Sequence, residues 1–167
     1  TLVWAAADTT NKTFTVTLSL VGGEASLGAN TNAVVTIVDN DSTLQLVATL
    51  ASVVENQGSV TLVVSRTGFT NNTVTLPFTT EDVSALAGSD YNTSAGTLTF
   101  GTNVTSQTIT VTIRNDTVVE TNETFRVILS PPGGEASLGA NTTNTVTIVD
   151  DDSNLQFATA AATVVEN

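Results

Sequence analysis

The chain has 167 residues and carries sixteen acidic against four basic side chains, which gives a formal net charge of −12. This balance argues against nucleic acid and anionic membrane surfaces as partners, because both attract basic proteins, and it favours a cation or a basic surface. The chain also contains no histidine and no cysteine. Ser-His-Asp and Cys-His catalysis and a disulfide framework are therefore excluded within it, and we expect no enzyme activity.

The first part of the chain, residues 1–42, is typical of the later strands of a repeated unit. Residues 22–56 match residues 133–167 at 24 of 35 positions without a gap, a fixed spacing of 111 residues that indicates tandem domains. Upstream of residue 22 the spacing changes, because residues 11–17 resemble 106–112. The first unit is therefore predicted to lack a counterpart of about 113–128. Either this unit is truly shortened or residues are missing from the sequence.

Residues 43–153 form one complete unit whose strands are predicted from alternating apolar side chains. The clearest alternation places Ile109, Val111 and Ile113 on one face of a strand. The predicted strands cover about 44–54, 59–66, 73–80, 96–100, 107–114, 123–130 and 144–149. Seven short strands favour an all-β, antiparallel, Greek-key sandwich of the immunoglobulin-like type, repeated in tandem. Residues 154–167 restart the pattern as the first strand of the next repeat.

The acidic residues of this unit fall on one side of the predicted sandwich. Successive antiparallel strands alternate in direction, so alternate loops lie at the same end. By this rule ten of the eleven acids in residues 43–153 map to one end, and only Glu135 maps to the other. Clustered carboxylates repel one another unless a cation or bulk water screens them. Oxygen ligands in loops suit Ca²⁺ better than Mg²⁺, whose geometry is stricter. The alternative is a solvated acidic tip that binds nothing.

These residues resemble the Calx-β domain, a calcium-binding β-sandwich of sodium/calcium exchangers and bacterial surface proteins. The resemblance covers 43–153 and both flanking parts. The motifs that carry it are Val54-Glu55-Asn56, Gly88-Ser89-Asp90-Tyr91, Gly96-Thr97-Leu98-Thr99-Phe100, Asn115-Asp116, Glu120, Glu123-Thr124-Phe125 and Val146-Thr147-Ile148-Val149-Asp150-Asp151-Asp152. The resemblance implies these metal ligands: Glu55, Asp90, Asp116, Glu120, Glu123, Asp150, Asp151 and Asp152.

The sequence departs from the family pattern at two places. Residues 115–117 read Asn-Asp-Thr where the strongest binders carry an acidic run, so we expect one ion of the cluster to be weakened or lost. The first unit has Asn40 between Asp39 and Asp41, and its site is expected to be impaired.

The function we predict is that of a calcium-binding structural repeat in a large extracellular or cell-surface protein, such as an adhesin, matrix or filament component. Ca²⁺ would rigidify the junction between neighbouring repeats of the same protein, which are the expected partners. The alternative is a regulatory calcium sensor of a membrane transporter. No apolar run of the sequence reaches the length of a membrane span. A further hypothesis is that 154–167 of one molecule completes 1–42 of another, head to tail, although a continuous chain of units is the favoured alternative.

Overall fold

A computed structural model describes residues 10–20, 22–161 and 163–164 of the chain. Its strands are β1 (Lys12–Thr17), β2 (Asn32–Ile37), β3 (Ser42–Leu46), β4 (Leu50–Val54), β5 (Ser59–Gly68), β6 (Val74–Asp82), β7 (Ala95–Phe100), β8 (Ser106–Thr112), β9 (Glu123–Leu129), β10 (Ala136–Leu138) and β11 (Thr143–Val149). One turn of 3-10 helix, Glu55–Gln57, follows β4. None of the described residues belongs to a helix long and apolar enough to cross a membrane.

Nine of these strands form a two-sheet sandwich, which confirms the all-β fold. One sheet has the order β10-β3-β5-β8 and the other β4-β11-β9-β6-β7. The alternation predicted from the sequence is confirmed, because Val60, Leu62 and Val64 of β5 and Ile109 and Val111 of β8 are buried between the sheets. The pairing is not purely antiparallel: β10 runs parallel to β3, and β4 runs parallel to β11.

The predicted single strand over 44–54 is wrong, because the chain breaks there and changes sheets. β3 pairs with β5 in the first sheet, whereas β4 pairs with β11 in the second. The backbone groups at the break are satisfied locally. The carbonyl of Ala48 accepts a hydrogen bond of 2.9 Å from the buried Asn144 side chain, and the Val47 N–H donates to Val63. A buried amide side chain thus replaces the ladder hydrogen bonds that a continuous strand would make.

The hairpin β1–β2 reproduces a pairing from the complete sandwich. Phe14 lies opposite Val35 in this hairpin, and Phe125 lies opposite Val146 where β9 meets β11. Both residues of the second pair stand 111 positions after their counterparts. Equivalent peptide N–H groups just beyond the ends of β2 and β11 are also held alike. Asp39 donates to Asn11 Oδ1 at 2.9 Å, and Asp150 donates to Asn122 Oδ1 at 3.3 Å.

The predicted match of residues 11–17 to 106–112 is therefore wrong. The register instead matches β1 to β9, so the spacing of 111 residues holds through β1 and β2 and no internal gap is needed after residue 17. Alternating Thr and Val produce similar patterns in many strands, and only the pairing partner distinguishes them. The first strand of a next repeat, predicted over 154–167, is not formed in the part of this segment that the structure describes, 154–161 and 163–164.

Candidate metal centre

Two groups of three carboxylates lie at the end of the sandwich where β4, β6 and β11 finish. The first group is Glu55, Asp150 and Asp152, and the second is Asp90, Glu120 and Glu123. Within each group, one carboxylate oxygen from every residue lies within 4.8 Å of the others. The groups therefore gather six of the eight predicted ligands into two places where several oxygens converge.

The first group is built by the parallel pair β4 and β11, which end side by side. Val149 pairs with Val54, so the residues that follow, Asp150 and Glu55, emerge next to each other. Gly58, with a φ of 73°, ends the 3-10 turn that begins at Glu55. This left-handed conformation favours glycine, and it turns the chain directly into β5.

Hydrogen bonds hold the first group in place but leave one buried oxygen unsatisfied. The peptide N–H of Asp116 donates to Glu55 Oε1 at 2.6 Å, which anchors the loop between β8 and β9. The N–H of Asp150 donates to Asn122. In contrast, Asp150 Oδ1 is buried and has no hydrogen-bond partner among the residues that the structure describes. A buried carboxylate oxygen without a donor is costly, and a cation at this point would remove the cost.

The second group depends on a core aromatic residue. The Tyr91 ring is buried and stacks on Phe125, with ring centroids 4.2 Å apart and an interplanar angle of 12°. Its hydroxyl donates to Asp82 Oδ1. The neighbouring Asp90 accepts a 2.6 Å hydrogen bond from the Leu86 N–H through Oδ2. This loop is thereby fixed to the core, and Asp90 is held beside Glu123 at the start of β9.

Burial and mutual repulsion make several of these carboxyl groups weaker acids than usual. Partial burial, a hydrogen bond with Asp90 and the charges of Asp90, Glu120 and Glu55 raise the pKa of Glu123 to about 7. Desolvation is also the main reason why the pKa values of Glu55, Glu120 and Asp152 are raised, with neighbouring carboxylates adding to the effect. The metal-free site therefore retains protons that a bound cation would displace.

We expect the metal-free protein to lose stability as the pH rises from about 4.5 to 7, because the folded state binds more protons than the unfolded state in this range. Glu123 binds its proton more tightly in the folded protein, so its contribution is complete below the unfolded pKa and is lost as the pH passes the folded pKa. Thermal unfolding in a calcium chelator should show a melting temperature several degrees lower at pH 8 than at pH 5. Glu123→Gln should flatten this dependence. A metal-free protein that becomes more stable with rising pH would contradict the prediction.

Two of the predicted ligands, Asp116 and Asp151, lie outside both groups. Asp116 Oδ1 accepts a 2.7 Å hydrogen bond from the Val118 N–H, which folds the loop back on itself. Asp151 is exposed and accepts a hydrogen bond from Asn56. Their charges still contribute, since Asp116 helps to raise the pKa of Glu55. Their assignment as ligands stays a prediction.

Sequence reasoning missed the supporting role of Asn122. Its side chain holds the peptide N–H of Asp150, and it immediately precedes Glu123, so it connects the two groups. The only sequence signal is the recurrence of the same residue at Asn11 in the first unit. At that place Lys12 stands where the complete unit has Glu123.

The candidate ligands at this end of the sandwich suit a hard divalent cation. All six are carboxylates, borne by loops and strand ends rather than by one rigid element. Zinc prefers histidine and thiolate ligands, and the chain contains neither residue type. Ca²⁺ accepts six to eight oxygens in irregular geometry, and Mg²⁺ requires an octahedron. The site therefore suits Ca²⁺ best.

Comparisons with known proteins agree with this fold. A profile for the Calx-beta domain matches residues 39–152. Sodium/calcium exchanger 1 of the dog, Canis lupus familiaris, is 40% identical over 116 residues, covering 59% of this chain and 12% of the exchanger. The apo-form Calx CBD1 domain superposes with a TM-score of 0.65 at 28% identity, over 67% of this chain and 99% of that one. The calcium binding domain CBD12 of CALX1.1 superposes with a TM-score of 0.63 at 29% identity, over 65% of this chain and 46% of that one.

These relatives correct one expectation. The extracellular or cell-surface location predicted from the sequence is wrong, because sodium/calcium exchangers 1 and 2 are among the matching relatives. The family profile matches more than half of the chain, and the matched residues include every residue of both acidic groups. The chain therefore belongs to the Calx-beta domain family.

Proposed function

We propose that residues 39–152 bind Ca²⁺ through the two acidic groups and act as a regulatory calcium sensor within a membrane transporter. The observation that carries this proposal is the convergence of Glu55, Asp150 and Asp152, together with the buried Oδ1 of Asp150, which lacks a hydrogen-bond partner within the described part of the chain. One related structure is described as a calcium binding domain, which supports the same ion.

The transporter context is favoured over a structural repeat by the relatives. Sodium/calcium exchanger 1 is 40% identical to this chain over 116 residues. The chain spans a small part of that exchanger, 12% of its length, as a sensor attached to a larger protein would. We infer that the partner is a neighbouring domain, because this chain covers only 46% of the related calcium binding domain CBD12.

The geometry also indicates how Ca²⁺ would act on the domain. An ion in the first group would join the 3-10 turn after β4, the end of β11 and, through Glu55, the loop that begins at Asp116. The chain leaves the sandwich directly beyond this point, at Ser153. Binding would therefore neutralise repelling charges and fix the direction in which the following segment departs.

Calorimetric titration of two matched variants tests the proposal. Asp150→Asn should weaken Ca²⁺ binding at least about tenfold, since it removes a charge from the first group. Its metal-free form should be as stable as the wild type or more so, because repulsion within the group falls. Glu135→Gln is the control, because Glu135 lies at the other end of the sandwich beside Asn40 and Ser42. Equal affinities in the two variants, or no binding by the wild type, would contradict the proposal.

A further inference from the structure

The break between β3 and β4 leaves an apolar cleft on one side of the sandwich. Its walls come from the break itself, from the first half of β5 and from Asn144 near the start of β11, and its volume is about 180 Å³. The lining includes Val47, Leu50 and Val63, which are 61%, 73% and 40% exposed. Exposed apolar side chains that converge on one depression are typical of a binding site.

The sequence of β5 places an apolar side chain on the cleft where the strand pattern is otherwise polar. On the outward face of this strand, Ser59, Thr61, Ser65 and Thr67 alternate with buried residues, and Val63 interrupts the polar series. Next to this valine the ladder between β3 and β5 has ended, because the chain has crossed to the other sheet. Val63 therefore lines the space that the departing strand leaves.

Asn144 gives the cleft a polar group that lacks a partner. The residue lines the cleft and is 1% exposed. Its Nδ2 donates to the Ala48 carbonyl at 2.9 Å, which fixes the orientation of the planar amide. Its Oδ1 is buried and has no hydrogen-bond partner within the described part of the chain. A buried amide oxygen without a donor is costly, so a molecule that donates to it gains more than burial alone would give.

Three properties of the cleft define the class of ligand. None of the described residues that line it is charged, which favours a neutral molecule. An apolar protein cavity of about 150 Å³ holds benzene, so the volume here suits a single ring or a short hydrocarbon chain. The unpartnered oxygen of Asn144 favours a molecule with an O–H or N–H donor.

We propose that this cleft binds a small neutral molecule that has an apolar ring or short hydrocarbon chain and one O–H or N–H donor. The apolar part packs against Val47, Leu50 and Val63, and the donor bonds to Asn144 Oδ1. The cleft lies where β4 and β11 begin, whereas the acidic groups lie where these strands end, so it is separate from the candidate metal centre. Because β5 belongs to one sheet and β4 and β11 to the other, the ligand joins the two sheets at the break.

Titration of the full chain with phenol, followed by NMR chemical shifts, tests the proposal. Phenol should cause saturable shifts at the Asn144 side-chain amide and at the methyl groups of Val47, Leu50 and Val63. Toluene is the control, because it has the shape of phenol but no donor, and it would bind more tightly if burial alone decided. We expect toluene to bind roughly tenfold more weakly than phenol. Equal or tighter binding of toluene, or no saturable shifts at these residues, would overturn the proposal.

The same substitution at two edge strands provides a matched pair of variants. Ala51 of β4 lines the cleft, and Ala95 of β7 lies at the opposite edge of the same five-stranded sheet. Ala51→Leu fills part of the cleft and should weaken phenol binding several-fold, whereas Ala95→Leu should bind phenol as the wild type does. Thermal unfolding checks that each variant is folded, and the comparison of phenol with toluene on the wild type does not depend on either. An unchanged phenol affinity in folded Ala51→Leu would contradict binding in the cleft.

Discussion

Saturating Ca²⁺ should raise the melting temperature of the metal-free protein by about 10 °C. A ligand that binds only the folded state adds about 2.7 kcal/mol when its free concentration is a hundred times Kd. For a folded part of this size, 1 kcal/mol corresponds to roughly 4 °C. The effect arises because the ion relieves the repulsion among Glu55, Asp150 and Asp152 and gives the buried Asp150 Oδ1 a partner. Differential scanning calorimetry of the chelated and calcium-loaded protein measures it.

Two controls keep this result specific. Mg²⁺ at the same concentration should give a much smaller shift, because the loop-borne carboxylates do not form an octahedron readily. Glu135→Gln should shift as the wild type does. The absence of a shift at millimolar Ca²⁺ would remove the basis for a calcium sensor, whatever the variants do.

Replacing Arg66 by alanine should destabilise the sandwich by about 4 kcal/mol, among the largest effects expected of a single substitution. Arg66 is 2% exposed, and its guanidinium donates to the carbonyl oxygens of Phe69 at 2.9 Å and Asn72 at 3.0 Å. It also reaches Phe100 and Gly101 at 3.4 Å. Without it these carbonyls lose a shared donor, and a cavity opens beside them. Urea unfolding of the metal-free protein gives the difference.

Arg66→Lys separates the contribution of the planar guanidinium, with its several N–H donors, from that of the positive charge. Lysine keeps the aliphatic stem and the positive charge but presents a single nitrogen, so it should recover about half of the lost stability. Neither variant should alter Ca²⁺ affinity, because Arg66 touches none of the six carboxylates of the two acidic groups. A stable Arg66→Ala protein would show that water replaces the guanidinium at little cost.

The sequence was sufficient to predict the strands in which apolar and polar side chains alternate. It was not sufficient to predict the features that depend on which strands pair. Residues 107–114 alternate cleanly, and β8 covers Ser106–Thr112. The break within 44–54 was not predictable, because it depends on a hydrogen bond to Ala48 from Asn144, 96 residues later in the chain. Residues 136–138 form β10 only because β3 offers an edge to them. Local patterns carry side-chain direction, but they do not say which strand lies alongside.

For the metal site, too, the sequence predicted some features and not others. Counting strand directions was enough to place the acids at one end, since this requires only alternating connections. It did not reveal which carboxylates converge, because that depends on side-chain geometry. Asp151 lies between two members of the first group, yet it is bonded to Asn56, whereas Glu120 and Asp90 come together from separate loops.

The parallel pairing of β4 with β11 determines how the domain carries mechanical load. The chain enters at one end of the sandwich and leaves at the other, and these two strands run in the same direction side by side. Tension between the start of β4 at Leu50 and the end of β11 at Val149 pulls these two strands past each other along their length. The register pairs from Thr145↔Leu50 to Val149↔Val54 are then loaded together in shear rather than opened one at a time. Forced unfolding depends on the unfolding barrier, and we expect that shearing these register pairs together opposes stretching more than opening them singly. An ion joining Glu55 to Asp150 would add a clamp at the end of the sheared pair.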